Sequence, residues 1–290
     1  MSGSRVKKIA RKMRIPRSVF YQFQHMKEWN QLPKQIKGQS KDIFAKIAGK
    51  YQGERCFIIG NGPSLQVSDL ERLKDEYCFA TNRIFTIYAN TSWRPTFYAA
   101  QDGEVIDNMK KDLPGTIAES FYSFISAKQY HKYPEVFCSS KNVAMIPMRY
   151  KPPKKNLYGF SKDASKEVFE GLTITYTCIQ LAVYMGFSEI YLLGVDHNYS
   201  IEIDDDGNII KQNTGEKNYF AEAEVPIDSI NLPKVVEMTR AYLTAEKYCK
   251  AHGIHIYNAT RGGKLEAFER VDFDSIIVTE KDKGQDNAQD

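Results

Sequence analysis

No two cysteines fall close enough together for a C-x-x-C pair. Cys56, Cys78, Cys138, Cys178 and Cys249 are scattered singly. That spacing argues against a zinc site, and because several sit in apolar runs they read as reduced, buried thiols of a cytosolic protein. No stretch approaches the roughly 18 consecutive apolar residues of a membrane-crossing helix. The N-terminus has no apolar centre of the signal-peptide kind, so a cytoplasmic location is expected. The net charge is only +4 over 290 residues. With no zinc-finger, RNP-like or helix-turn-helix pattern, no nucleic-acid partner is expected. Histidine is scarce as well, and none occurs between His197 and His252.

What is present is core material. Hydrophobic residues make up 42% of the chain and aromatic residues 12%, enough for one large domain with appendages. The expected division is a basic and aromatic helical extension over 1–40, one α/β domain over 41–278 and a disordered polar tail over 279–290.

The chain is organised around Cys56-Phe57-Ile58-Ile59-Gly60-Asn61-Gly62-Pro63-Ser64-Leu65. Arg55 to Ile59 has the length of a parallel strand buried on both faces. Gly60 and Gly62 bracket a tight turn. Pro63 suits a first helical position and Ser64 suits capping, so free amides at a helix start would make an anion site. The turn differs from the dinucleotide fingerprint, whose third glycine would fall at Leu65, and from a Walker A loop, because no Gly-Lys-Ser/Thr follows. The alternative is a plain strand-to-helix turn.

In chain order, residues 1–17 carry Arg5, Lys7, Lys8, Arg11, Lys12, Arg14 and Arg17 without one acid. Val6, Ile9, Ala10 and Met13 fall near helical spacing, which suits a helix on an anionic membrane surface or a solvated leader. Residues 18–35 read as an aromatic-rich helix, available for the domain, a membrane or a homo-oligomer. Lys34 to Gln39 reads as a linker, followed by a short helix over 42–51. Val67 to Leu73 continues as an amphipathic helix after the glycine turn. Further strands are expected at 77–81, 96–100, 120–125, 143–146, 189–197 and 254–258, with helices at 173–185 and 235–252. Tyr150 to Ser165 reads as a long polar loop, either a lid or a disordered surface loop. Asp204-Asp205-Asp206-Gly207-Asn208 reads as a hairpin turn, because a calcium loop would need a glutamate where Gly215 stands.

This pattern predicts a single Rossmann-like domain, a mostly parallel sheet with helices on both faces and a lid. In such sheets ligands sit outside the carboxyl ends of the strands. Gly60, Asn61, Gly62, Pro63, Ser64, Asn82, Gln101 and Asp102 all fall at such ends, as do Gly194, Val195, Asp196 and His197. Asp196 and His197 are the one adjacent acid–imidazole pair at an expected strand end; a buried structural pair with an Asx turn is the alternative.

Two segments carry a family resemblance. Phe57 to Leu65 resembles the opening of the bacterial lipooligosaccharide sialyltransferases. Thr173 to Tyr199, with Gly186-Phe187-Ser188-Glu189-Ile190-Tyr191-Leu192-Leu193-Gly194-Val195-Asp196, resembles their central helix and strand. The same segments resemble the central domain of the motility accessory factor glycosyltransferases, and Tyr257-Asn258-Ala259-Thr260-Arg261-Gly262-Gly263 is similar to the end of related bacterial proteins. The resemblance implies transfer of a nonulosonic acid from a CMP-activated donor to a glycan hydroxyl, without an essential metal or other cofactor. It implies nucleotide-binding roles for Asn61, Pro63, Ser64, Asn82, Thr173, Gly194, Val195 and Asp196. The family serine after Thr173 is Ile174 here.

The family's lid histidine, its expected general base, has no counterpart in Lys217-Asn218-Tyr219-Phe220. An alcohol nucleophile still needs a base within hydrogen-bond reach. His197 or Asp196 would take that role, and Tyr199, Tyr219, Arg83 and Arg261 are candidates for the leaving phosphate or the acceptor; each also suits a packing or solvated role. The expected partners are therefore a nucleotide-sugar donor and a surface-glycan acceptor, with peripheral contact at the inner face of the membrane through residues 1–35.

Two rival readings remain. Archaeal 6-hydroxymethylpterin diphosphokinases look similar around Gly60 to Leu65, and would need carboxylates such as Asp102, Asp196 and Asp204–Asp206 to hold magnesium on ATP. The missing lid histidine also suits a degenerate nucleotide fold that only binds a partner.

Overall fold

The computed structural model describes residues 17–151, 157–199, 201–203, 209–211 and 233–277. The expected tail from Thr279, the loop at Asp204–Asn208 and the stretch around Tyr219 lie outside the described residues.

Short apolar runs build the centre. Strands β1 (Arg55–Ile59), β2 (Tyr77–Thr81), β3 (Phe97–Ala100), β4 (Tyr122–Ser126), β5 (Val143–Ile146), β8 (Glu189–Leu193), β11 (His255–Asn258) and β12 (Glu269–Arg270) form an eight-stranded sheet in the order β12-β11-β8-β1-β2-β3-β4-β5. Every pairing in it is parallel. Alternate residues of β1 serve opposite faces: Cys56 and Ile58 join one core, Phe57 and Ile59 the other. That is why the strand reads as a continuous apolar run rather than an alternating one.

One face is covered by α2 (Lys34–Ile47), α7 (Ile174–Met185) and α8 (Val235–Lys250). The other is covered by α3 (Val67–Glu71), α4 (Gly103–Asn108), α5 (Leu113–Ala118), α6 (Pro134–Ser139) and α9 (Phe273–Ile276). Helix α1 (Arg17–Gln31) precedes them. Two small pairs stand apart from the main sheet: β6 (Met148–Arg149) with β7 (Val168–Phe169), parallel, and β9 (Ile201–Ile203) with β10 (Ile209–Lys211), antiparallel as the expected hairpin requires.

Three expectations are corrected. Lys34 to Gln39 is the first part of α2, because Ile36, Ser40, Ile43, Phe44 and Ile47 make one buried face that outweighs the polar, glycine-containing start. Helix α3 begins only at Val67, with Gln66 as its N-cap, so Pro63 and Ser64 lie in the turn and not in a helix start. The second half of the expected lid is fastened down. The Tyr158 amide donates to Thr244 Oγ1 at 3.0 Å, Tyr176 Oη donates to the Gly159 carbonyl at 2.7 Å, and Phe160 stacks on Tyr248 at 4.2 Å. Aromatic residues in that loop find partners on α7 and α8, which a reading of its lysines and prolines misses.

Candidate functional site

From β1 the chain steps outward through β2, β3, β4 and β5, then returns to place β8 on the other side of β1. The strand order reverses between β1 and β8, and ligands of open parallel sheets bind in the crevice at such a reversal. Ile59 pairs with Leu193 in register. The Gly60 turn and the Gly194–His197 segment therefore leave the sheet side by side.

These two turns interlock. The Gly60 amide donates to the Leu193 carbonyl at 2.8 Å and the Gly62 amide to the Gly194 carbonyl at 2.9 Å. A Cβ on Gly60 would stand 2.2 Å from the Gly194 carbonyl oxygen, and one on Gly62 would stand 1.8 Å from Asp196 Oδ2. Both glycines are thus required by close approach. Ser64 Oγ donates to Asp196 Oδ2 at 2.8 Å, and the Lys264 amide donates to the Asp196 carbonyl at 2.7 Å. Asp196 ties together the loops after β1, β8 and β11. The Val195 amide donates to Thr260 Oγ1 at 3.1 Å, a second tie between the loops after β8 and β11.

Non-glycine residues with positive φ are Asn82 at 49°, Leu172 at 61° and His197 at 52° among the described residues. They stand after β2, just before α7 and after β8. Backbone strain of this kind collects at functional sites. Among the buried polar atoms without a partner, four acceptors stand in the turns that follow β1, β2, β4 and β8: Asn61 Oδ1, Asn82 Oδ1, Gln129 Oε1 and His197 Nδ1. Asn61 Nδ2 donates to the Thr81 carbonyl at 2.9 Å, and Gln129 Nε2 to the Gln101 carbonyl at 3.1 Å, which leaves the oxygen of each amide as the open end.

His197 is 6% exposed. Thr239 Oγ1 donates to the Val235 carbonyl at 2.9 Å, so it accepts from His197 Nε2 at 2.8 Å. That assigns the proton to Nε2 and leaves Nδ1 as an unprotonated acceptor. Burial lowers the pKa of the ring to about 4. Tyr242 and Tyr199 meet the imidazole edge-on at 5.6 and 6.1 Å.

The other expected site residues divide. Thr173 caps α7, accepting from the Thr175 amide at 3.3 Å, and its hydroxyl meets Tyr242 Oη at 3.3 Å. Gln101 Oε1 accepts from Thr177 Oγ1 of α7 at 2.6 Å, so α7 opens over the end of β3. Asp102 caps α4, accepting from the Glu104 and Val105 amides at 2.8 and 3.1 Å. Arg83 follows β2 and is half-buried. Arg261 is bonded to buried Asp69 at 2.6 Å and packed over Phe273. Tyr219 lies outside the described residues. Among the described residues no three His, Cys, Asp or Glu side chains cluster as metal ligands would. Gln129, Thr239 and Thr260 escape the sequence reading. They sit in a short 3₁₀ turn after β4, inside α8 and after β11, and only the last position carries a signal, its place at a strand end.

A model of the family described as 6-hydroxymethylpterin diphosphokinase MptE-like matches residues 26–202, taking in both the Phe57–Leu65 and Thr173–Tyr199 segments. Among solved structures, the MAf glycosyltransferase from Magnetospirillum magneticum AMB-1 is 15% identical with a TM-score of 0.48. That match covers 87% of this chain and 41% of the Magnetospirillum chain, so this chain spans less than half the length of that protein. The sialyltransferase CstII from Campylobacter jejuni, in complex with the substrate analogue cytidine-5'-monophosphate, is 15% identical with a TM-score of 0.38, covering 81% of this chain and 99% of that one. No curated protein matches. With more than half of its length matched by that family model, the chain belongs to the 6-hydroxymethylpterin diphosphokinase MptE-like family.

Proposed function

We propose that the β1–β8 crevice binds a nucleotide and that the chain transfers a sugar from a CMP-activated donor to a hydroxyl of a surface-glycan precursor. The observation that carries this reading is that buried acceptors without a partner follow the strands on both sides of the strand-order reversal, Asn61 and Asn82 on one side and His197 on the other. The open atoms of Asn61, Asn82 and His197 are acceptors, so a fitting ligand brings donors, as ribose hydroxyls and the amino group of cytosine do. The start of α7 offers the opposite charge sense. Thr173 takes the Thr175 amide, and the remaining first-turn amides suit a phosphate over the end of β3.

In this reading the acceptor hydroxyl attacks the anomeric carbon of the donor. The bond to the CMP phosphate breaks, and the hydroxyl proton passes to His197 Nδ1. The Nε2–H bond to Thr239 holds the ring in the accepting tautomer. A base whose pKa lies near 4 is weak, but the negative phosphate of a bound donor favours the imidazolium and raises it toward a useful value. The departing phosphate meets the α7 amides and Arg83. Asp196 keeps a positioning role, because its carboxylate already holds Ser64. No metal is needed for these steps.

The family's description favours a second reading, diphosphoryl transfer from ATP to a pterin alcohol. Its magnesium would draw on Asp196 and Asp102, which at present hold Ser64 and the start of α4.

A thermal-shift panel of CMP, CDP, UMP, UDP, GDP and ATP, each with and without magnesium, separates the readings. A ligand at about 100 Kd stabilises the folded state by about 2.7 kcal/mol. Stabilisation by CMP or CDP without magnesium is the expected result. A response to ATP only with magnesium would move the assignment to the diphosphokinase. A shift with CMP but no turnover with any CMP-sugar would leave a binding protein.

A further inference from the structure

Helix α1 has two unlike faces. The inner one is pinned. His25 is 6% exposed and lies 3.2 Å from Glu170 and 3.3 Å from Glu28, Tyr21 packs on Tyr150 at 5.4 Å, and Trp29 packs into the core. The helix rests against β6 and the 3₁₀ turn at Ala127–Lys132. Its orientation is therefore set, and the outer face is an outer face.

That outer face holds Val19, Gln22, Phe23, Met26, Lys27 and Asn30, at the spacing of one helical stripe. Phe23 is 66% exposed, Met26 45% and Val19 37%. Three of the eight large hydrophobic side chains exposed among the described residues thus line up on this one stripe. The only acid of the helix, Glu28, is turned inward to His25, and Lys27 is exposed on the outer face. The sequence that leads into the helix, residues 1–17, contributes seven Arg and Lys side chains and no Asp or Glu.

We propose that the outer face of α1 docks on an anionic membrane surface, with Phe23, Met26 and Val19 entering the acyl boundary and Lys27 and the leading basic residues meeting the headgroups. Apolar area and cationic charge together are what an interfacial helix needs, since either signal alone gives weak, reversible binding. Charge decides between occupants. A second copy of this chain would bring its own cationic segment to a face that already carries Lys27, whereas a lipid surface supplies the opposite sign. No described helix is long and apolar enough to cross a membrane, so the contact is peripheral. The inner face bears on the crevice too. Glu170, which holds His25, lies three residues before the N-cap Thr173 of α7. Docking through α1 would fix the mouth of the crevice relative to the lipid.

The test is co-sedimentation of the full-length protein with two kinds of vesicle, phosphatidylcholine alone and phosphatidylcholine mixed with phosphatidylglycerol. The wild type should pellet with the mixed vesicles, and raised salt should weaken the binding. Phe23→Gln with Met26→Gln should weaken it at least tenfold at unchanged Tm, because both side chains are exposed. Lys7→Gln, Lys8→Gln and Arg11→Gln together should do the same by removing charge alone. Equal pelleting by the wild type and both variants would overturn the proposal. So would a concentration-dependent dimer in light scattering that Phe23→Gln with Met26→Gln abolishes while vesicle binding is absent.

Discussion

A buried imidazole with one nitrogen bonded and the other open costs stability unless water or a ligand completes it. His197 holds that position at the end of β8, in a left-handed conformation that few residues other than glycine adopt. Replacing it with alanine should lower turnover at saturating donor by at least about 10²-fold, the scale of general-base catalysis. A near-normal rate would reassign the proton. The two turn glycines should respond differently. At Gly60 a methyl group meets backbone, so Gly60→Ala should cost about 3 kcal/mol, the upper end of ordinary overpacking. At Gly62 its nearest neighbour is the movable Asp196 carboxylate, with the Gly194 carbonyl oxygen farther off at 2.8 Å. Gly62→Ala should therefore cost less in urea unfolding yet break the Ser64 bond and weaken nucleotide binding. At this scale the legible residues were those in the turns themselves. Asn61, Asn82 and His197 could be placed because they follow apolar runs. Arg261 could not, since its partner Asp69 lies 192 positions away. Nothing local marks Gln129 or Thr239.

Among the elements, the strands were legible and the helix ends less so. Each strand is an apolar run bounded by polar or turn residues, because both of its faces are buried. Helix α7 was legible in the spacing of Ile174, Cys178, Leu181, Ala182 and Met185, and the structure closes it with Gly186, which takes φ 97°. Helix α2 was misread at its start and α3 misplaced, because helix ends depend on what they pack against. The pinning of α1 was not legible at all. It rests on His25 meeting Glu170 from a distant part of the chain. Burial opposes the charge on His25, but hydrogen bonds and attraction to Glu170 and Glu28 outweigh it, raising its pKa from 6.5 to about 9. A histidine raised in this way stabilises the fold fully below its unfolded value and loses that contribution as pH climbs through about 9. His25→Gln should therefore cost on the order of 3 kcal/mol near pH 6 and little near pH 10, read from urea unfolding at each pH. A pH-independent cost would show that the contact acts by packing alone.

For the molecule as a whole, two histidines set opposite limits. His197 has its pKa lowered to about 4, so the unfolded chain takes up that proton first as pH falls below 6.5 and stability drops toward pH 4. His25 removes stability on the alkaline side. Unfolding free energy should peak near neutrality, His197→Gln should flatten the acid limb, and His25→Gln the alkaline one. The α/β class, the parallel sheet and the siting of a crevice at strand ends were readable from alternating apolar runs and helical periods. The strand order was not, because nothing in β8 itself says that it returns beside β1. That one pairing joins the Gly60 turn to Asp196 and His197, two segments more than 130 positions apart.

The central claim is that this junction binds a nucleotide. Calorimetric titration of CMP into the wild type and into Asn61→Ala tests it most directly, with Tm measured for both. Asn61 brings an open acceptor to the junction and holds the end of β2 through Thr81. The account predicts saturable binding to the wild type without magnesium and at least a tenfold weaker affinity in Asn61→Ala, about 1.4 kcal/mol or more. Unchanged affinity in a folded Asn61→Ala, or no CMP binding by the wild type, would contradict it.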